Sequence, residues 1–204
     1  MKKIVILGAS GHGKVVAEIA KLNGYDHIVF LDDNTSLTQC GVYSVVGTIN
    51  DLDKYIFDGF DVIVAIGNAS IRKVIQERIS RQDALMSLIH PKACVSSDVT
   101  MGAGTVVMAG AVINTGTVIG KGCIINTGAT VDHDNSLGDF VHISVGAHLA
   151  GGVTVGSGTW VGIGSAVSNN IEIGAGCMIG AGAVVIKDIC EPGTYVGVPA
   201  KKVK

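Results

Sequence analysis

At 204 residues the chain has room for one or two domains, and a net charge of −2 with no basic run gives no electrostatic footprint for nucleic acid or an anionic membrane surface. The 29 glycines recur periodically, which argues for turns and against disorder. No apolar stretch approaches membrane-spanning length, and five cysteines without paired spacing fit a reducing cytoplasm.

The chain opens with Met1-Lys2-Lys3 and a short apolar run. Gly8 cuts that run, so it reads as a strand over 3–7 and not as a signal peptide. Gly8-Ala9-Ser10-Gly11-His12-Gly13 then opens a helix to about residue 23. A strand over 27–31 ends in Asp32-Asp33-Asn34. Another short strand is predicted near 43–46, a helix near 52–57, and a strong strand over 61–66 ending in Gly67-Asn68. Ser70 is expected to N-cap a helix through Ile79. A last strand over 84–89 meets His90-Pro91. Alternating β and α elements predict a small parallel sheet with helices on its faces, a Rossmann-like half over 1–90.

Ligands of such sheets bind at the carboxyl ends of the strands, beside the Gly-rich turn. Three strand ends carry candidates: Ser10-Gly11-His12, Asp32-Asp33 and Gly67-Asn68. The glycine spacing is G-x-x-G-x-G and not the dinucleotide pattern, and 1–90 holds only half of a doubly wound dinucleotide fold. A nucleotide is therefore expected here before NAD; tight turns at strand ends would give the same glycines.

From Val95 to Val185 every sixth residue is aliphatic or Met without interruption. Counting that residue as the third of a six-residue block, the first position is mostly small, as at Thr105, Ala111, Cys123, Ala129 and Cys177. The sixth is Gly at most positions, with Asp134, Asn170 and Asp188 as substitutes. Alternate positions of a short strand face one way, and Gly, Asn and Asp accept a left-handed corner. Each block is thus a short strand plus a corner, and 91–187 winds as a parallel β-helix. Cys123 and Cys177 read as core residues. Residues 188–204 form a C-terminal extension expected to be too polar and broken to continue the helix.

Two adjacent blocks, 129–134 and 135–140, depart most from the pattern, and local rule-breaking in a regular repeat is where function is expected. They contain Asp132-His133-Asp134, and Phe140 replaces a corner Gly. His133 occupies a corner. Imidazole has its pKa near working pH and Asp134 is a natural orienting partner, so the pair reads as a general base; a plain solvated corner is the alternative. Second positions should point outward. They form stripes, one reading Val106, Ile124, His142, Trp160, Met178 and another Val112, Thr130, His148, Ala166, Val184. Two largely apolar faces call for cover. Trimerisation would supply it and would bring His133 and His142 of different subunits together.

Gly8-Ala-Ser-Gly11-His12-Gly13, Leu31-Asp-Asp33, Ala65-Ile-Gly67-Asn68, His90-Pro91 and Asp132-His-Asp134…Gly138-Asp-Phe-Val-His142 lie in matching order in a known family. The chain closely resembles the hexapeptide sugar acyltransferases of the sialic acid O-acetyltransferase type, most of all the UDP-4-amino-sugar N-acetyltransferases of the bacillosamine pathway. The resemblance implies a left-handed β-helix with three blocks per coil, hence about 18 residues per coil and about five coils. It implies a cytoplasmic homotrimer that uses acetyl-CoA, with no metal, to acetylate the 4-amino group of a nucleotide-linked 4-amino-4,6-dideoxy sugar. It implies His133 as the base. Its acidic partner, usually Glu in relatives, matches Asp134, one methylene shorter, and Asn126 matches a polar active-site residue. His142, Gly151, Ile163 and Ala181 match acetyl-CoA-lining positions, Ala181 being Gly in relatives, and backbone N–H groups near Gly151 could stabilise an oxyanion. Ser10, Gly11, His12, Asp32, Asp33 and Gly67 match nucleotide-sugar contacts. O-acetylation of a sialic acid or other sugar hydroxyl is the alternative, and the base (uracil, guanine or thymine) stays open. A zinc lyase of the carbonic anhydrase type would use interfacial His ligands, but His142 and His148 fall on different outward faces. An NAD oxidoreductase would rest on the Gly loop alone, and a purely structural rod would not need the Asp132–Asp134 cluster.

Overall fold

The computed structural model describes residues 1–203, in two compact units, Met1–Pro91 and a second from Lys92 onward. In the first unit, β1 (Lys2–Leu7) lies between β2 (Tyr25–Leu31) and β5 (Asp61–Val64), all parallel. Its register pairs Ile6 with Phe30 on one side and with Ile63 on the other. Ile4 to Leu7 are wholly buried, as a central parallel strand covered on both faces requires. Helix α1 (Gly11–Leu22) follows Gly8, whose φ of 108° turns the chain beside Ala65 and Ile66.

Several local expectations change. Asn68, not Ser70, caps α3 (Ala69–Glu77): its side-chain oxygen accepts the Ile71 N–H at 3.0 Å. Asn is as good an N-cap as Ser, and it comes first after Gly67. The strand expected near 43–46 is one arm of a small antiparallel hairpin, β3 (Gln39–Cys40) with β4 (Tyr43–Ser44). Helix α2 (Leu52–Phe57) forms where expected. Residues 84–89 are not one strand. A 3₁₀ turn covers Gln82–Ala84, Leu85 makes a single bridge to Val62, and only Leu88–Ile89 pairs as β6.

The second unit is a parallel β-helix of three walls and about six turns, one more than the five expected from 95–185 because the chain adds strands at both ends of that stretch, and it is consistent with a left-handed winding. One wall stacks Val112–Ile113, Thr130–Val131 and His148–Leu149, and partners along it are 18 residues apart. Another carries Ser136–Leu137, and the third carries Ile124–Ile125, His142–Ile143 and Trp160–Val161. The inward positions match the six-residue reading: Val131, Ile143, Val161, Ala129, Ala147 and Thr159 are all wholly buried. The corners are left-handed, with φ near 60° at the sixth-position glycines and also at Asp134, Phe140 and Asn170.

Two features of this unit overturn expectations. The C-terminal segment does continue the helix: Gly193–Val196 pairs in parallel with Cys177–Ile179, and Lys201–Lys202 returns antiparallel. The last coil is shortened, with the Glu172 N–H bonded to Asp188 Oδ1 across only 16 residues, and Asp188 is not a left-handed corner. A strict count of six loses the register there. The outward stripe is also less exposed than predicted, since Val106 and Ile124 are 1 % exposed within the single chain while Trp160 and Met178 stay at 37 %.

Because the inward layer is close-packed, Ile143→Ala should cost about 2–5 kcal/mol. Chemical denaturation would show it as a lowered midpoint; an unchanged midpoint would mean that this layer is loosely filled.

Candidate functional site

His133 sits on the corner that follows Thr130–Val131. The left-handed turn at Asp134, φ 58°, folds its carboxylate back so that Asp134 Oδ2 meets His133 Nδ1 at 2.8 Å. The shorter aspartate therefore reaches. Both side chains are more than half exposed. The hydrogen bond that His133 Nδ1–H donates to Asp134 is the chief cause that raises the His133 pKa above the ordinary histidine value; burial opposes it, and the charges of Asp132 and Asp134 add smaller increases. With Nδ1–H held by a carboxylate, Nε2 is the nitrogen left to accept a proton.

The ring is seated from several sides. A Cβ on Gly151 would come within 2.5 Å of His133 Cε1 and Nε2, so the imidazole fills the space a side chain there would take. A Cβ on Gly116 would collide with Asp134 Oδ1. Asp132 Oδ1 accepts both the His133 N–H and an amide hydrogen of Asn114, each at 2.8 Å. The Asn114 bond leads in holding the Asp132 carboxyl below its usual pKa. From inside the helix, buried Asn135 donates to the carbonyls of Asp132 and His133.

A second cluster lies on another wall. The Asn126 amide donates to His142 Nε2 at 3.1 Å, and the His142 ring stacks on Trp160 with centroids 4.8 Å apart. Trp160 Nε1–H donates to the buried Ser144 hydroxyl. Ile163 and Ala181 line the adjoining corner with Val145, joined by backbone bonds such as Gly164 N–H to Val145 O at 3.0 Å. Ile163 is 60 % exposed and Val145 44 %, an apolar ridge facing solvent. The structure thus divides the predicted residues of the second unit. His133, Asp134 and Gly151 share one corner, while Asn126, His142, Ile163 and Ala181 share another wall and its edge.

In the first unit the predicted residues gather at the carboxyl end of the sheet. Asp32 Oδ2 accepts the Ala9 N–H at 2.7 Å and Oδ1 accepts Asn34 N–H at 2.8 Å, so this carboxylate shapes both strand ends. Asp33 Oδ1 accepts Ile49 N–H at 3.0 Å. Beside Asp32 a cavity of about 240 Å³ is lined by Thr35, Thr38, Gly47 and Thr48. The glycines differ in what they do. A Cβ on Gly13 would collide with the Gly8 carbonyl, a packing requirement, whereas Gly11 and Gly67 have nothing within 4 Å and leave the backbone open to approach. His12 is pushed down to about 4, first by burial and then by the Arg72 charge, and its Nε2 is buried without a hydrogen-bond partner.

Sequence reasoning missed Arg72 and Asn135. Arg72 is wholly buried and donates to the carbonyls of Ile66 and Gly67 at 2.7 and 2.8 Å, fixing the strand end that carries Gly67. The signal was its place on the face of α3 shared with Ile75 and Gln76. Asn135 could have been found as the one carboxamide in a first position held elsewhere by Ala, Ser, Thr, Cys, Val or Ile.

Residues 3–79 match the family described as PglD N-terminal domain, and residues 152–187 match bacterial transferase hexapeptide (six repeats). The chain is 40% identical over 114 residues to UDP-N-acetylbacillosamine N-acetyltransferase of Bacillus subtilis (strain 168), an alignment spanning about half of each, 53% of this chain and 52% of that protein. It is similar along its whole length to the acetyltransferase domain of PglB from Neisseria gonorrhoeae FA1090 in complex with acetyl coenzyme A, with 44% identity, TM-score 0.94 and 99% of both chains covered. A mutant of perosamine N-acetyltransferase from Caulobacter crescentus, in complex with CoA and GDP-perosamine, gives 37% identity and TM-score 0.94, covering 100% of this chain and 98% of that one.

Neutral His12, with its Nε2 buried, carries a pH signature. As the pH falls from 6.5 the unfolded chain takes up a proton there, whereas the folded chain does so only near 4, so stability is lost across that window. His12→Gln should flatten that loss by roughly 3 kcal/mol. Urea midpoints across the window would show it, and an unchanged slope would contradict a buried neutral His12.

Proposed function

Because the chain belongs to the hexapeptide-repeat sugar N-acetyltransferases, we propose that it transfers the acetyl group of acetyl-CoA to the 4-amino group of a nucleotide-linked 4-amino-4,6-dideoxy sugar. The observation that carries the reading is the His133–Asp134 pair, 2.8 Å apart on an exposed corner and seated on Gly151. The N-acetyltransferase names of the relatives favour an amine over a hydroxyl nucleophile.

Acetyl-CoA supplies an activated thioester, and the amine attacks its carbonyl directly. His133 Nε2 takes the proton that the nitrogen sheds as the C–N bond forms and the C–S bond breaks, and that proton then leaves with the CoA thiolate. Asp134 keeps Nδ1 protonated throughout and stabilises the imidazolium. No acyl-enzyme is required, and Cys123 and Cys177 point into the core, where the chief effect on Cys177 is burial that raises its thiol pKa. The exposed ridge of Val145 and Ile163 beside Trp160 suits the apolar length of pantetheine. The strand ends around Ser10, Gly11, His12, Asp32, Asp33 and Gly67 are assigned to the nucleotide sugar.

We place the acting enzyme in the cytoplasm as a homotrimer. Five thiols without a disulfide suit a reducing compartment, and no described helix is long and apolar enough to cross a membrane. The trimer is supported by the split of the site over two walls and by the outward Trp160 and Met178. Three-fold packing would set the His133 corner of one subunit against the His142 wall of the next. Light scattering should return the mass of three chains; a monomer mass would refute this assembly.

His133→Ala should lower kcat by about 100- to 10,000-fold, the range for a lost general base, with little change in melting temperature. Full activity in that variant would remove the assignment. The acid limb of the parent's kcat/KM profile, which reports the free enzyme, should lie above the ordinary histidine value of 6.5, because the Asp134 hydrogen bond raises the His133 pKa.

A further inference from the structure

Where the first position of a block is threonine, its hydroxyl has a standard habit. Thr105, Thr117 and Thr159 each send a hydroxyl to a carbonyl on the next coil: Gly120 O at 3.1 Å, Asp132 O at 2.9 Å and Gly174 O at 2.7 Å. The hydroxyls of Thr105 and Thr159 also accept the N–H of the residue one coil on, Cys123 and Cys177, at 3.0 Å. That habit is structural and repeats along the helix.

Asn135 performs it and does more. Its amide donates to Ala150 O at 3.1 Å and its carbonyl accepts the Val153 N–H at 3.2 Å, the same two ladder contacts. In addition the amide reaches backward to Asp132 O at 2.6 Å and His133 O at 3.2 Å. Its two amide hydrogens are shared among three carbonyls, all in a side chain 1 % exposed. No threonine could make the backward pair while keeping the ladder. Ala150, moreover, directly precedes Gly151, the floor under the His133 ring. One buried amide therefore ties the backbone that carries His133 to the backbone the ring rests on.

We propose that Asn135 is a positioning residue for the acetyl transfer, fixing the height and direction of His133 from inside the β-helix. It touches no substrate; its effect passes through the corner backbone. The proposal rests on the reading of His133 as general base. The backward bonds are dispensable for folding, because Asp132 O also accepts from Thr117 Oγ1 at 2.9 Å and His133 O from Gly152 N–H at 3.0 Å. Loss of the Asn135 pair leaves neither carbonyl without a partner.

Asn135→Thr separates the two roles, with Asn135→Val, the residue already present in the first position at Val141 and Val153, as a second variant that lacks the backward pair. Two readouts are taken, with His133→Ala alongside: steady-state kinetics with acetyl-CoA and the UDP- or GDP-linked 4-amino-4,6-dideoxy hexose that the parent turns over, and NMR titration of the His133 ring, which needs no substrate. We expect an unchanged melting temperature, KM for both substrates within about twofold, and kcat down by roughly 100-fold, the loss that a displacement of about 1 Å can cause. The His133 pKa should fall towards the ordinary value as its contact with Asp134 loosens, the charged groups facing the ring being Asp132 and Asp134. Parental kcat and an unshifted titration in both variants would overturn the proposal while leaving His133 as base. A lower melting temperature with both KM values raised would show a structural role only, and overturn it too. Full activity of His133→Ala would instead sink the base reading itself, and this proposal with it.

Discussion

The second unit depends on a backbone constraint: once in every six residues the chain must turn through a left-handed corner. Glycine accepts that conformation freely, whereas an ordinary side chain costs about 1–2 kcal/mol there. At the last position of a block, Asp134, Phe140 and Asn170 bear that cost, with φ of 58°, 59° and 57°. Phe140 offsets it by burying its ring to 4 % exposure. Asp134 has no such burial. Its compensation is chemical: the left-handed turn is what brings its carboxylate onto the ring of the residue just before it. The same constraint favours Asp over Glu, since a short polar side chain tolerates the left-handed region best. Strain at this corner and function at this corner have one origin.

The repeat also decides what can sit around the corner. With coils 18 residues apart, the neighbours of His133 and Asp134 along the edge are Gly116 below and Gly151 above; Gly116 leaves room for the Asp134 carboxylate and Gly151 for the His133 ring. Asp132 lies one coil from Asn114 and bonds to it. The imidazole is thus placed by a rigid, closely stitched scaffold, while its outer face remains in solvent. The His142–Trp160 stack is fixed in the same manner on another wall. A triangular cross-section keeps these two clusters apart within one chain. On the proposed reading, that separation is what makes a second copy part of the chemistry.

Much of this was legible because the period is strict. The six-residue count located the inward residues from Val107 to Val185 and the corners at Asp134 and Asn170, and the places where it weakened pointed to His133. It failed where the chain stopped obeying the count. The final coil drops two residues, so Gly193–Val196 looked like an irregular tail although it adds a strand. It could not foresee that Val106 and Ile124 would be 1 % exposed while Trp160 and Met178 stay at 37 %, since an outward position in the count does not fix how much of a side chain is covered. In the first unit, strand and helix existence was clear from hydrophobic pattern, but the cap at Asn68 and the hairpin after Gln39 depended on local hydrogen bonds that several residues could have made. Arg72 and Asn135 escaped notice for a shared reason. Each is a buried polar side chain whose partners are backbone groups, so its own place in the pattern was the only signal and nothing in the sequence named what it binds.

Subunit complementation tests the two-chain site most directly. His133→Ala and His142→Ala chains, differently tagged and co-expressed, would be purified as mixed assemblies and assayed for acetyl-CoA consumption against each variant alone. If His133 of one chain works with His142 of its neighbour, every mixed trimer should carry one intact site of its three, regaining about one third of the parental sites. Mixed assemblies no more active than the two separate variants would contradict the account.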